Sequence, residues 1–220
     1  MNLRAVPSDT LPGGVNMAVD YHLAAGFEPG EGPICRFYRW SGPTVTAGRT
    51  VPEDAALSAA RAHPGASLFR RPTGGGVVFH ADQLSFSVIW PRTLPALRDL
   101  RQSYMSLHLV LKEALAGCGV PVVQAAGPAP GRGVFCAASV ERGDLTGESG
   151  QKVAGGAQWR AAGAVLYQGH LWLPETPGIE QAVMRGLADY LGLPAVDWVL
   201  PARITQCARE EQTRWEIPAP

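Results

Sequence analysis

The sequence predicts an α+β domain built on a largely antiparallel sheet flanked by helices. Three observations predict it. Helical patterns interleave with short β-rich runs along the 220 residues. Most of those runs are joined by brief turns, and such short connections link antiparallel neighbours, because parallel ones need a crossover of roughly a dozen or more residues. Finally, the 26 glycines and 19 prolines punctuate periodic segments instead of gathering into a low-complexity tract.

In chain order, Pro12-Gly13-Gly14 forms a loop, after which Val15, Val19 and Leu23 recur at helical spacing, so Val15 to Ala24 reads as a helix. Gly26 to Gly32 is a turn. Ile34 to Trp40 then alternates apolar and basic residues in the manner of a half-buried strand, and Ser41-Gly42-Pro43 leads into a second strand, Thr44 to Gly48. An alanine-rich helix follows Pro52, since proline is tolerated in a first turn, and ends before His63-Pro64-Gly65. Ser67 to Arg71, Gly75 to His80 and Leu84 to Trp90 are β-rich runs broken by Pro72-Thr73-Gly74 and Ala81-Asp82-Gln83, expected to be adjacent strands of one sheet. Tyr104, Leu107, Leu111 and Leu115 share one face of a helix from Leu100 to Cys118, and Gly119 supplies its stop. Val120 to Gln124 is a candidate strand and Ala125 to Gly133 a loop. Gln151 to Arg160 and Ala164 to Leu173 form a hairpin closed by Ala161-Ala162-Gly163. A helix from Gly178 to Tyr190 follows, with Ile179, Val183 and Leu187 on one face. Residues 195–220 receive no assignment.

Composition narrows the function classes. Hydrophobic residues are 46% and charged residues 17%, and no apolar run approaches the length of a membrane-spanning helix. The first residues carry no continuous apolar segment of the secretory kind, so a cytoplasmic protein is expected. The formal net charge is zero, which gives no general field to attract nucleic acid or a membrane surface. Cys35, Cys118, Cys136 and Cys207 are far apart with no Cys-x-x-Cys pair, arguing against a zinc site or a disulfide framework. No metal site is expected.

Two stretches can carry chemistry. Of the 19 basic side chains only Lys112 and Lys152 are lysine, and Lys152 lies among glycines at the start of the predicted hairpin, where a backbone approaches something closely. A lysine is a compact charge able to give up or share its proton, unlike arginine. The other stretch, Arg70-Arg71-Pro72-Thr73-Gly74-Gly75-Gly76, places paired guanidinium groups before three glycines, a pattern that suits an anion nest as well as a plain turn. It matches neither the phosphate-loop nor the dinucleotide fingerprint. His80 near Asp82 suits a structural turn as well as acid–base work. Cys136 stands between the glycine- and proline-rich loop and the lysine hairpin, where a thiol beside an ammonium group gains nucleophilicity. A buried, inert cysteine is the alternative.

Several motifs in one order carry a family resemblance: Asn16-Met17-Ala18-Val19-Asp20, Arg36-Phe37-Tyr38-Arg39-Trp40, the block from Arg70 to Ser87, and Lys152 to Arg160 continuing through Gln168-Gly169-His170. Over residues 14–175 the chain resembles the biotin/lipoate protein ligase superfamily, in its lipoate ligase and octanoyltransferase branch. The resemblance implies the α+β catalytic domain shared with biotin protein ligases and related to class II aminoacyl-tRNA synthetases, here spanning 1–220 without a separate C-terminal accessory domain. It implies that Lys152 meets the carboxyl end of an acyl group, that Arg70, Arg71, Thr73, Gly74, Gly75, Gly76, Gly155 and Ala157 bind substrate, and that His80 sits at the pocket mouth.

Two branches of the family compete. Lipoate-protein ligases use ATP and Mg to form an acyl-adenylate, whereas cysteine-type octanoyltransferases draw octanoate from acyl carrier protein through an enzyme thioester without a cofactor. In both the acceptor is a lysine of a lipoyl domain, the glycine cleavage H protein included. Cys136, sixteen residues before Lys152, resembles the transferase nucleophile, and Ala157-Gln158-Trp159-Arg160 resembles the transferase hairpin. Gly76 stands where transferases often carry arginine, which keeps the ATP-dependent ligase as the alternative; a non-enzymatic acyl-binding protein is a second one. The expected mechanism has the Cys136 thiolate, held reactive by Lys152, attack the donor thioester. Gly74 to Gly76 would offer N–H groups to the oxyanion, and the Phe79 and Val153 strands would receive the chain.

Overall fold

The computed structural model describes residues 1–28, 30–128 and 135–218. Its framework is an eight-stranded sheet. In chain order the strands are β1 (Leu3–Leu11), β2 (Ile34–Trp40), β3 (Thr44–Ala47), β4 (Ser67–Arg70), β5 (Val77–His80), β6 (Ser85–Pro91), β7 (Val123–Gln124), β8 (Leu145–Thr146), β9 (Lys152–Arg160), β10 (Ala164–Leu171) and β11 (Ala195–Asp197). The large sheet runs β11-β1-β2-β6-β10-β9-β8-β7, and a second sheet runs β4-β3-β5. Pairing within the large sheet is antiparallel except where β1 joins β2 and β11.

The period-two alternation of the central strands sorts their side chains between two cores. On one face, Cys35 and Phe37 of β2, Phe86, Val88 and Trp90 of β6, and Val165 and Tyr167 of β10 pack beneath α3 (Leu100–Gly117) and α4 (Ile179–Leu191). On the other, Ile34, Tyr38, Trp40, Ile89 and Leu166 meet Val15, Ala18, Val19 and Leu23 of α1 (Gly13–Ala25). The residues of this parity that are not apolar, Arg36, Ser85, Ser87, Gln168 and His170, are buried too, so the face covered by α1 is the one that carries polar chemistry. The Asp99 side chain caps α3 by accepting from the Gln102 N–H at 2.7 Å, and left-handed glycines, Gly178 and Gly192, bracket α4. Among the described residues no helix is long and apolar enough to cross a membrane.

The expectation that residues 67–71, 75–80 and 84–90 form adjacent strands of one sheet is corrected. β3 lies between β4 and β5, pairing parallel with the first and antiparallel with the second, while β6 belongs to the large sheet between β2 and β10. The reason is the turn at 71–76, which wraps around the Arg71 guanidinium and leaves room for a third strand instead of closing a hairpin. The strand predicted over 120–124 is confined to Val123–Gln124, and much of the loop predicted over 125–133 lies outside the described residues. Four strands and helices had no forecast: β1, β8, β11 and α5 (Ala202–Glu210). After α5 the chain returns past α1, buries Trp215 in its core, and bonds Ile217 N–H to the Leu68 carbonyl at 2.9 Å, sealing the edge of the small sheet beside α2 (Glu53–Ala60).

Candidate active site

A cavity opens between the α1 face of the large sheet and the small sheet, enclosing about 480 Å³ of free space with its mouth included. Its wall contains Met17 of α1, Tyr38 and Trp40 of β2, Thr46 of β3, Val78 and His80 of β5, Gly155, Gly156 and Ala157 of β9, and Gln168 and His170 of β10. Cys136 and Lys152 both line it, together with Arg71, Gly75 and Trp172. Elements distant in sequence thus converge on one space.

Cys136 begins a short 3-10 turn, Cys136–Ala138, fastened to the small sheet by a parallel bridge between Phe135 and Val77. The thiol is half-buried. Its sulfur accepts the Gly76 N–H at 3.1 Å, and the Arg71 guanidinium stands at 4.0 Å. Arg71 also donates to the carbonyls of Gly74, Gly76 and Thr46, so one buried cation ties the glycine turn to β3 and points its positive edge at the sulfur. Burial pulls its pKa down from the usual guanidinium range, while the neighbouring Cys136 opposes that shift. Gly75 has φ of +83°, and a Cβ there would lie 2.8 Å from Arg71 Nη2 and 3.6 Å from the sulfur, so this position requires glycine.

Lys152 faces the same cavity, but its partner is a carboxylate. Nζ pairs with Asp144 Oδ2 at 2.7 Å, donates to the Ser139 carbonyl at 3.3 Å, and lies 5.3 Å from the Trp172 ring centre. The expected direct pairing of the Cys136 thiol with Lys152 is therefore replaced by Arg71 and Gly76 as the groups nearest the sulfur. The Gly76 N–H expected at an oxyanion is engaged by that sulfur.

The other expected residues divide. Gly75, Gly155 and Ala157 line the cavity. Arg70 does not: its guanidinium bonds the carbonyls of Gly48 and Val51 and stabilises the loop after β3. Thr73 is buried and donates to Gln168 Oε1 at 2.7 Å, and Gly74 serves through its carbonyl. His80 is in the wall and not at the mouth, stacked on Trp40 at 4.0 Å, 2.8 Å from Thr46 Oγ1 and 3.3 Å from His170 Nδ1. Phe79 points away to stack on His63 and Val153 packs into the α3–α4 core, because the alternation of β5 and β9 sends them from the cavity.

Burial holds His80 well below the usual imidazole range and His170 down to about 3, with the Arg71 charge adding to both shifts. Both rings are neutral at physiological pH. Behind the wall, Asp20 accepts from Arg36, Ser87, Tyr38 and Gln168 at 2.8–3.2 Å. None of Asp20, Arg36, Gln168, His170 or Asp144 was singled out as a site residue. The first four lie within the motifs quoted above. Asp144 gave no signal beyond standing eight residues before Lys152.

The family model for the lipoyl protein ligase A/B catalytic domain matches residues 12–174. An octanoyltransferase LipM of Moorella thermoacetica is 33% identical over 165 residues, covering 72% of this chain and 60% of that protein. One from Symbiobacterium thermophilum is 33% identical over 185 residues, covering 78% and 65%. The chain thus spans about three fifths of the length of these relatives. A solved structure of a bipartite lipoate protein ligase and its E2 lipoyl domain from Thermoplasma acidophilum superposes with a TM-score of 0.73 at 21% identity, covering 97% of this chain and 93% of that one. At that identity the likeness speaks for the fold.

Proposed function

The chain belongs to the lipoyl protein ligase A/B catalytic domain family, and from that premise we propose that it is a cytoplasmic octanoyltransferase of protein lipoylation. It moves an octanoyl group from acyl carrier protein through a Cys136 thioester to a lysine of a lipoyl domain or of glycine cleavage H protein. The observation that carries this reading is the surroundings of the Cys136 sulfur, a half-buried thiol lining the cavity with an N–H at 3.1 Å and a guanidinium at 4.0 Å. Both neighbours present positive charge to the sulfur. The names of the similar transferases agree with it.

In the first step the thiolate forms a bond to the octanoyl carbonyl carbon, and the donor's thiolate leaves with the electron pair and takes up a proton. Acceptor lysine then attacks the acyl-enzyme as a neutral amine, the amide forms as the amine nitrogen releases one proton to solvent, and Cys136 leaves as thiolate. The Lys152 ammonium faces the cavity and supplies positive charge for the carbonyl oxygen during both attacks. Most polar groups of the wall are already bonded to one another, as in Tyr38 and Gln168 with Asp20 or Ser85 with His170, so an apolar chain leaves few of them unpaired. Burying its six or so methylenes contributes roughly 5 kcal/mol at about 0.8 kcal/mol each. This chemistry needs no dissociable cofactor.

Intact-protein mass spectrometry after mixing with octanoyl-acyl carrier protein tests the reading. An octanoyl adduct is expected on the wild type and absent from Cys136→Ala. Lipoylation that needs ATP and Mg and survives Cys136→Ala would overturn it in favour of the ligase. Failure of both donors would leave acyl binding alone.

A further inference from the structure

Resting on the acyl-transfer reading, we propose that Asp144 is the positioning residue for Lys152, clamping its ammonium group in place beside the loop that carries Cys136. Asp144 is fully buried and the Lys152 side chain nearly so. One carboxylate oxygen takes Lys152 Nζ at 2.7 Å and the Glu141 N–H at 2.7 Å, and the other accepts the Tyr104 hydroxyl at 2.5 Å. Asp144 is therefore held by two other donors, Tyr104 and the Glu141 N–H, independently of the lysine.

The fixing continues into the core. Tyr104 stacks on His108 at 4.2 Å. His108 Nδ1 lies 2.7 Å from the Gly143 carbonyl, an acceptor only, so this nitrogen carries the proton, and Nε2 accepts from the Tyr167 hydroxyl at 2.6 Å. The backbone immediately before Asp144 is thereby tied to β10. On the lysine side Gly155 is what allows the pair to close: a Cβ there would overlap Lys152 Cε, come within 2.8 Å of Nζ and within 3.1 Å of Asp144 Oδ1. Lys152 folds back over that bare glycine, donates to Ser139 three residues beyond the nucleophile, and still lines the cavity.

This arrangement makes Lys152 a fixed charge. The carboxylate at 2.7 Å, the Ser139 carbonyl at 3.3 Å and the bare backbone of Gly155 hold Nζ in one position. The cost of orienting the cation is met in folding, so the charge is in place when the carbonyl oxygen develops its own.

The test is Asp144→Asn, which keeps shape and removes charge, measured as kcat and KM for octanoyl transfer to a lipoyl domain. Expected are a 10- to 100-fold fall in kcat with KM within about threefold, and partial rescue by Asp144→Glu. A purely structural role would lower the melting temperature and leave kcat of the folded variant unchanged. If Asp144→Asn does not fold, Gly155→Ala keeps both charges but displaces the ammonium, and the same fall in kcat is expected. A wild-type kcat in the folded variant overturns the proposal. An inactive wild type overturns the transfer reading on which it rests, and the two failures are told apart by the wild-type control.

Discussion

Removing the Asp20 carboxylate should damage the fold more than any other single side-chain truncation on the α1 face. Asp20 and Arg36 are both buried, with 3.0 Å between Oδ1 and Nη1. The same carboxylate accepts from Ser87 at 2.9 Å, Tyr38 at 3.2 Å and Gln168 at 2.8 Å. Asp20→Ala leaves the Arg36 guanidinium in the interior with only Asn16 as a side-chain acceptor. An uncompensated buried charge costs about 3–5 kcal/mol, and each orphaned neutral donor adds about 1 kcal/mol or more where water does not reach it. The expected loss is at least about 4 kcal/mol against a total of roughly 5–15 kcal/mol. In a chain of this length that corresponds to a fall in Tm of about 8–16 °C. Calorimetry, with urea unfolding followed by tryptophan fluorescence, measures it. Replacing both members, as in Asp20→Leu with Arg36→Met, should recover much of the loss, since a matched apolar pair carries no desolvation penalty. A loss below about 1 kcal/mol in Asp20→Ala would refute the claim that this network organises the face.

Arg71→Gln should slow alkylation of Cys136 by iodoacetamide about tenfold at pH 7, read on the Cys136 peptide so that exposed Cys207 does not interfere. Two unit charges 4.0 Å apart interact by about 4 kcal/mol at an effective dielectric near 20, so a tenfold effect asks for only part of that; an unchanged rate would remove Arg71 from the thiolate's environment. Acidification should destabilise the fold well before the carboxylates titrate. His108 is held down to about 4 and His170 to about 3, both chiefly by burial, so below the unfolded value near 6.5 the unfolded chain binds protons that the folded one refuses. Stability is then complete above about pH 6.5 and falls as pH drops toward the folded values, by roughly 2 kcal/mol per ring at pH 5. Urea midpoints at pH 7 and pH 5 check the sign, and equal stability at the two would contradict neutral buried rings.

The elements that could be read ahead of the structure are those whose signal is local. Tyr104, Leu107, Leu111 and Leu115 announce α3 because a helix buries every third or fourth residue, and the glycine-spaced hairpin announces β9 and β10 because an antiparallel pair closes through its own turn. β1 gave no such signal. Its partners are β2 and β11, both parallel and both reached across long connections, and its pattern is half exposed, so nothing within the segment marks it. The same difference explains the misplaced β-rich runs. That 67–71, 75–80 and 84–90 are strands is a local property, but which neighbour each one pairs with depends on β3 and β10, which are elsewhere in the chain.

The site divides along the same line. By itself the sequence determined the family, the α+β class and the two reactive candidates, Cys136 and Lys152, because motif order and rare residue types survive without coordinates. Only the tertiary structure decided which groups attend them. Arg70 and Arg71 are neighbours in a strand end and look equivalent on paper, yet their side chains leave in different directions, one to loop carbonyls and the other to the sulfur. Asp144 reaches Lys152 because the chain between them turns back at Gly147–Gly150 and because Gly155 leaves space for the lysine to fold over it. Charge acts through distance, and distance between side chains is set by packing, which no spacing along the chain records.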